Sequence, residues 1–89
     1  MRIEAGVLIK VDENDIVNGT VEIPEGVTKI GDGAFEDCSS LTNIEIPKGL
    51  TEIGDNVFKY CRSLTNIEIP DGVTRIGNEA FFGCNSLIN

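Results

Sequence analysis

The apolar positions of this chain recur with a period of 23 residues. Segment 46–68 overlays segment 23–45 with fifteen of the 23 positions identical, and it overlays segment 69–89, which stops two residues short of a full copy. Self-similarity at a fixed period between about 20 and 50 residues is typical of a solenoid. The sequence therefore predicts three stacked repeats, at 23–45, 46–68 and 69–89, the last incomplete.

Within each repeat the spacing of apolar and polar positions predicts four successive elements. The pattern Leu-x-x-Ile-x-Ile alternates like a half-buried strand, and Pro-x-Gly after it favours a type I turn. A second short extended segment follows, of the form Val-x-x-Ile-Gly. Asp or Asn at 32, 55 and 78 then predicts the N-cap of one or two helical turns that carry the Phe and end at the Cys. Stacking places the strands in parallel at about 4.8 Å, which gives an α/β repeat solenoid with a short parallel sheet on one face.

Residues 1–22 do not repeat this pattern. They read as short strands separated by polar turns, with apolar segments at Val7–Val11, Ile16–Val17 and Val21–Ile23. Terminal repeats of solenoids are atypical because they shield an open end of the core. We therefore predict that residues 1–22 form an N-terminal cap.

The repeated motif resembles a known family. Over residues 21–89 the chain follows Leu-x-x-Ile-x-Ile-Pro-x-x-Val-Thr-x-Ile-Gly-x-x-Ala-Phe-x-x-Cys, which is similar to the leucine-rich repeats of the bacterial surface-protein A (BspA) type, also found in treponemes. This resemblance implies a right-handed leucine-rich-repeat solenoid whose parallel sheet lines one face. It also implies a role in binding other proteins, often in adhesion to host matrix or cells, in a family whose members are usually long and exported.

Charge narrows the choice of partner. The formal net charge is −8, with no histidine and a sequence pI of about 4.3, so direct binding to nucleic acid is not expected, since that requires clustered Lys and Arg. A protein with a basic patch suits this charge better.

No apolar run approaches the roughly 20 residues of a membrane span, so we expect no membrane association.

Three cysteines and the absence of a signal-peptide pattern in the first residues indicate a cytoplasmic location. A chain cut from a longer export precursor would instead lie at the cell surface or be secreted.

One column of the predicted sheet carries charge of a single sign. Glu22, Glu45 and Glu68 stand 23 residues apart on the exposed face, flanked by Asn43 and Asn66. We call these five residues the acidic stripe. They fit a docking surface for a Lys- or Arg-bearing partner, and the alternative is a solvated strand face without a partner.

Other columns alternate in sign, which predicts ion pairs between repeats. These columns are Lys29/Glu52/Arg75, Glu25/Lys48/Asp71 and the facing pair Glu36/Lys59.

Two aromatic residues, Tyr60 and Phe82, replace polar residues of the repeat and are further partner-binding candidates, as a small apolar contact patch.

The column Cys38/Cys61/Cys84 has the character of buried hydrophobic residues rather than metal ligands, because no histidine or Cys-x-x-Cys accompanies it. We therefore expect no metal and no cofactor. No nucleophile has a plausible base, so no catalytic site is expected.

Residues Ser86–Asn89 end where the next strand would begin, which predicts an open apolar edge. Such an edge favours a homo-oligomer, a covering partner, or a product cut from a longer array.

Our main hypothesis is a non-enzymatic protein–protein interaction module that binds through the acidic sheet face or this C-terminal edge. The alternatives are an acidic inhibitor of a basic nucleic-acid-binding protein, and a structural fragment of a longer surface adhesin.

Overall fold

Seven short strands form two sheets in the computed structural model, which describes residues 1–88. Asn89, the last position of the predicted third repeat, lies outside the described residues. The larger sheet has the strand order β1-β2-β4-β6-β7, and the smaller sheet consists of β3 and β5. The bounds are β1 Arg2–Glu4, β2 Val7–Lys10, β3 Thr20–Glu22, β4 Lys29–Ile30, β5 Asn43–Glu45, β6 Glu52–Ile53 and β7 Arg75–Ile76, with a single 3-10 turn at Glu13–Asp15.

The repeats stack in parallel with the register that the period predicts. Ile30 pairs with Ile53, and Ile53 pairs with Ile76. In the smaller sheet Thr20 pairs with Asn43, and the ladder continues as a single bridge between Asn43 and Asn66. The larger sheet is thus the one formed by the Val-x-x-Ile segments, whereas the Leu-x-x-Ile-x-Ile segments form the shorter ladder.

The predicted helical turns are wrong in the described residues, where the only helix is the 3-10 turn near the N-terminus. Segments 32–37, 55–60 and 78–83 are instead runs of turns. Two residues in each run adopt a left-handed backbone, which stops a right-handed helix from continuing. These residues, with positive φ, are Gly33, Asp37, Asn56, Tyr60, Glu79 and Gly83.

Backbone N–H groups in these turn runs bond alternately within their own repeat and to the next one. Ala34 N donates to Gly31 O at 3.2 Å, and Phe35 N donates to Val57 O at 3.0 Å. The turn runs therefore form a third line of contact between repeats, beside the two sheets.

Apolar side chains of equivalent positions stack along the solenoid to form the core. Phe58 lies between Phe35, at a ring-centroid distance of 5.1 Å, and Phe81, at 5.4 Å. Phe35 and Phe58 are fully buried, whereas Phe81 is only partly buried. In the strand column, Ile30 and Ile53 have no exposed area, while Ile76 is 48% exposed.

The N-terminal segment pairs with the first repeat. β1 is antiparallel to β2, and β2 is parallel to β4 with Leu8 opposite Ile30. Leu8 and Val21 are buried, so this segment contributes to the same core. Its role as a separate cap stays a prediction. No helix within residues 1–88 is long and apolar enough to span a bilayer.

Candidate functional site

The smaller sheet aligns the acidic stripe. Glu22 lies directly opposite Glu45 in the parallel ladder, and all three glutamates of the stripe are exposed. Four stripe residues line one groove of about 300 Å³, together with Ile44 and Ile46. These four residues are Asn43, Glu45, Asn66 and Glu68. Glu22 lies next in the column but does not line the groove.

A second, wider groove adjoins the first at Glu68. Its volume is about 660 Å³, and Ile46, Ile69 and Pro70 supply its apolar lining. Lys48 and Asp71 supply charges of both signs at its wall. A ligand on the stripe would therefore meet carboxylates in one groove and apolar side chains in the next.

Within residues 1–88, ion pairs do not neutralise the negative charge of the stripe. None of the ion pairs among residues 1–88 includes Glu22, Glu45 or Glu68. Like charges in neighbouring strands repel by about 1 kcal/mol per pair in water. Hydrogen bonds between the repeats oppose this repulsion. They come from backbone N–H groups and also from threonine hydroxyls, as where Thr65 Oγ1 donates to Thr42 O at 3.2 Å.

One alternating column forms the predicted ion pairs. Glu52 Oε2 lies 2.6 Å from Arg75 Nη1 and 3.4 Å from Lys29 Nζ. The hydrogen bond from Arg75, with a smaller effect of Lys29, holds the pKa of the Glu52 carboxyl below its usual value. The predicted pair between Glu36 and Lys59 is wrong, because Lys59 Nζ instead pairs with Glu79 Oε1 at 3.0 Å.

The aspartates at the start of the turn runs act between repeats rather than as caps of their own helical turns. Asp32 Oδ1 accepts a hydrogen bond from Asp55 N at 2.8 Å, and Asp55 Oδ1 accepts one from Asn78 N at 2.7 Å.

The cysteine column is part of the core. Cys61 Sγ donates a hydrogen bond to Phe35 O at 3.0 Å, and Cys84 Sγ donates one to Phe58 O at 3.0 Å. Burial raises the pKa of Cys38 to about 11 and that of Cys61 to about 12. The thiols are therefore neutral at physiological pH, which makes them poor nucleophiles and poor metal ligands.

Tyr60 and Phe82 contact each other, and neither residue lines either groove. Their rings meet edge to face with centroids 5.7 Å apart. Arg62 Cζ lies 5.0 Å from the Tyr60 centroid, and Lys59 Nζ lies 5.5 Å from the Tyr60 centroid and 5.7 Å from that of Phe82. Sequence reasoning found the two aromatic residues but missed the two cations beside them. We call Lys59, Tyr60, Arg62 and Phe82 the cationic–aromatic patch.

Parallel 23-residue repeats with leucine and isoleucine columns define the chain as a leucine-rich-repeat protein, a class of generally non-catalytic binding modules. A family model for the BspA type leucine rich repeat region matches residues 15–89. The chain belongs to this BspA-type leucine-rich-repeat family.

Solved structures show the same fold. The leucine-rich repeat protein of Treponema pallidum is 40% identical with a TM-score of 0.74, over 75% of this chain and 31% of that chain. A leucine-rich cell surface protein from Faecalibacterium prausnitzii A2-165 is 46% identical with a TM-score of 0.75, over 79% of this chain and 18% of that chain. A leucine-rich repeat protein from Bacteroides ovatus is 29% identical with a TM-score of 0.55, over 78% of this chain and 24% of that chain.

The matched region thus spans less than a third of each of these structures. No curated protein sequence matches the chain significantly.

Proposed function

We propose that this chain is a non-enzymatic interaction module of a bacterial surface protein, and that its acidic stripe binds a Lys- or Arg-bearing segment of another protein. The observation that carries the proposal is the groove of about 300 Å³ between neighbouring repeats, lined by Asn43, Glu45, Asn66 and Glu68. It combines two amides that can orient a bound chain with two carboxylates that form no ion pair within residues 1–88.

The chemistry of the two adjoining grooves supports an extended basic segment as the ligand. An ammonium or guanidinium group between Glu45 and Glu68 would relieve the repulsion between these carboxylates. The apolar stem of the same side chain would then lie along Ile46 and Ile69, which border the wider groove.

Family membership favours the cell surface over the cytoplasm as the location. One similar structure is a leucine-rich cell surface protein, and BspA-type repeats match most of the chain. At the cell surface, an acidic module would meet basic segments of proteins outside the cell.

The test compares three proteins in binding to an extended Lys-Ser repeat peptide by nuclear magnetic resonance (NMR) titration. The first is the wild type, and the second carries Glu22→Gln, Glu45→Gln and Glu68→Gln. The third is a matched control in which Glu25→Gln, Glu36→Gln and Asp37→Asn remove the same charge from other positions.

Saturable shifts at the stripe amides are expected in the wild type and the control. In the stripe variant, losing charge-assisted contacts should weaken binding at least about tenfold. Equal weakening in the stripe variant and the control would mean that only net charge matters, and the stripe would not be a specific surface. Pull-downs from lysates with the same three proteins then identify the natural partner.

The C-terminal edge is a second candidate surface. Ile76 and Ile88 are 48% and 81% exposed, whereas the Ile30 and Ile53 side chains of the same column as Ile76 are fully buried. A partner or second copy bound here would be lost in an Ile76→Lys variant and retained in the stripe variant.

A further inference from the structure

The cationic–aromatic patch inverts the charge found at equivalent positions of the preceding repeat. Where the second repeat has Lys59, Tyr60 and Arg62, the first has Glu36, Asp37 and Ser39. The local charge changes from −2 to +2 within a chain whose net charge is −8. The change gathers two of the seven basic residues around half-buried Tyr60 and exposed Phe82, at the turn runs and just after them rather than on the acidic sheet face.

The backbone at this patch is unfavourable for the residue that it carries. Tyr60 has a left-handed φ of 62°, at a position that Asp37 and Gly83 occupy in the other two repeats. Bulky residues rarely adopt this conformation, and such outliers concentrate at binding sites. Gly83 is also required here, because a Cβ added to it would lie within 3.0 Å of Tyr60 Cε1. The tyrosine ring is therefore held against the next repeat.

Among the described residues, Arg62 leaves hydrogen-bonding capacity unused. It makes no ion pair with any partner in residues 1–88, and its guanidinium lies over the Tyr60 ring. A stacked guanidinium keeps the N–H groups of its edge free to bind a carboxylate in bidentate fashion. Lys59, by contrast, already pairs with Glu79. Beside these cations the Phe82 side chain is 52% exposed and offers apolar surface.

From these contacts we infer that the cationic–aromatic patch is a second binding site, which takes a protein segment with a carboxylate next to an apolar side chain. Arg62 binds the carboxylate, and Phe82 packs against the apolar side chain. Tyrosine and arginine are, with tryptophan, enriched among the residues that dominate interface energetics. An anionic sugar is a weaker candidate, because Lys59 and Arg62 already cover the Tyr60 ring on which a sugar would stack.

The test is an NMR titration of the isotopically labelled chain with 3-phenylpropionate, which carries both features of the inferred ligand. Its neutral counterpart 3-phenylpropanol and the sugar acid glucuronate are run in parallel. We expect saturable shifts at amides 59–62 and 79–83 with 3-phenylpropionate alone.

Two variants and two controls make the result specific. Arg62→Gln should weaken binding about tenfold, since it removes one charge-assisted contact. Tyr60→Gly should also abolish the shifts, and glycine suits the left-handed backbone, so this variant should fold. Arg75→Gln, which neutralises an arginine of the larger sheet, should bind like wild type. The triple glutamine variant of the stripe should do so as well, which separates this site from the proposed function of the sheet face.

Equal shifts with the neutral alcohol, or unchanged affinity in Arg62→Gln, would overturn the inference. Saturation by glucuronate without saturation by 3-phenylpropionate would assign the patch to a sugar and overturn it too.

Discussion

The stacked phenylalanine column gives a quantitative test of how the repeats stabilise one another. Phe58 packs against two rings, those of Phe35 and Phe81, whereas Phe81 packs only against Phe58 among the described residues. We expect Phe58→Leu to destabilise the fold about twice as much as Phe81→Leu, although the two changes are chemically identical and lie at the same repeat position.

The magnitude follows from the number of ring pairs lost. An aromatic pair contributes about 0.5–1.5 kcal/mol beyond burial, so Phe58→Leu should lower the free energy of unfolding by about 1–3 kcal/mol and Phe81→Leu by about half as much. A domain of this size has about 4–13 kcal/mol of stability in total, so both variants should fold. A difference of about 1 kcal/mol corresponds to about 4–8 °C in Tm.

The assay is urea and thermal unfolding of both variants, followed by far-UV circular dichroism and by tyrosine fluorescence. Coincident transitions would show that the repeats unfold as one unit, which the comparison of free energies requires. Equal losses in the two variants, or a larger loss in Phe81→Leu, would refute the reasoning that ring pairs between repeats control stability.

Two further predictions concern close contacts and pH. Gly54→Ala should destabilise the fold by about 1–3 kcal/mol in urea unfolding, because its added Cβ would meet the Asp32 carboxylate and lie 3.0 Å from Ile30 O. The control is Gly49→Ala, which should be nearly neutral because its added Cβ would have nothing within 4 Å. The buried Cys61 thiol, with its pKa raised from 9.0 to about 12, contributes stability that is complete below pH 9 and is lost as pH rises towards 12. Unfolding measured from pH 8 to pH 11 should show this loss in wild type and a smaller one in Cys61→Val; equal profiles would contradict the assignment.

Much of the architecture could be predicted because it follows from the period alone. Once residues 23 apart are stacked, the pairing of Thr20 with Asn43 and of Ile30 with Ile53 is fixed, and so is the placement of Glu52 between two cations. Four of the five stripe residues lie together in one groove for the same reason.

The turn runs could not be predicted in the same way. A glycine at 33 or 83 signals a left-handed backbone, but Tyr60 and Glu79 adopt it without any such signal. At Tyr60 the backbone N–H donates to Phe82 O of the next repeat at 2.8 Å, a contact that a local sequence pattern does not reveal. The salt bridge of Lys59 was mispredicted for a related reason. Its partner Glu79 lies 20 residues away rather than 23, so column reading alone does not find it.

The hydrogen bonds between repeats have a mechanical consequence. They join each repeat to the next along the axis of the stack, as in the bonds from Thr51 N to Thr28 O and from Thr74 N to Thr51 O. When a force pulls on the two ends of the stack, every layer carries the same tension because the layers lie in series, and the layers open one at a time rather than all together. Each layer that opens releases 23 residues, or roughly 75 Å of extended chain. Such a module would extend in steps under tension, and each step would dissipate mechanical energy.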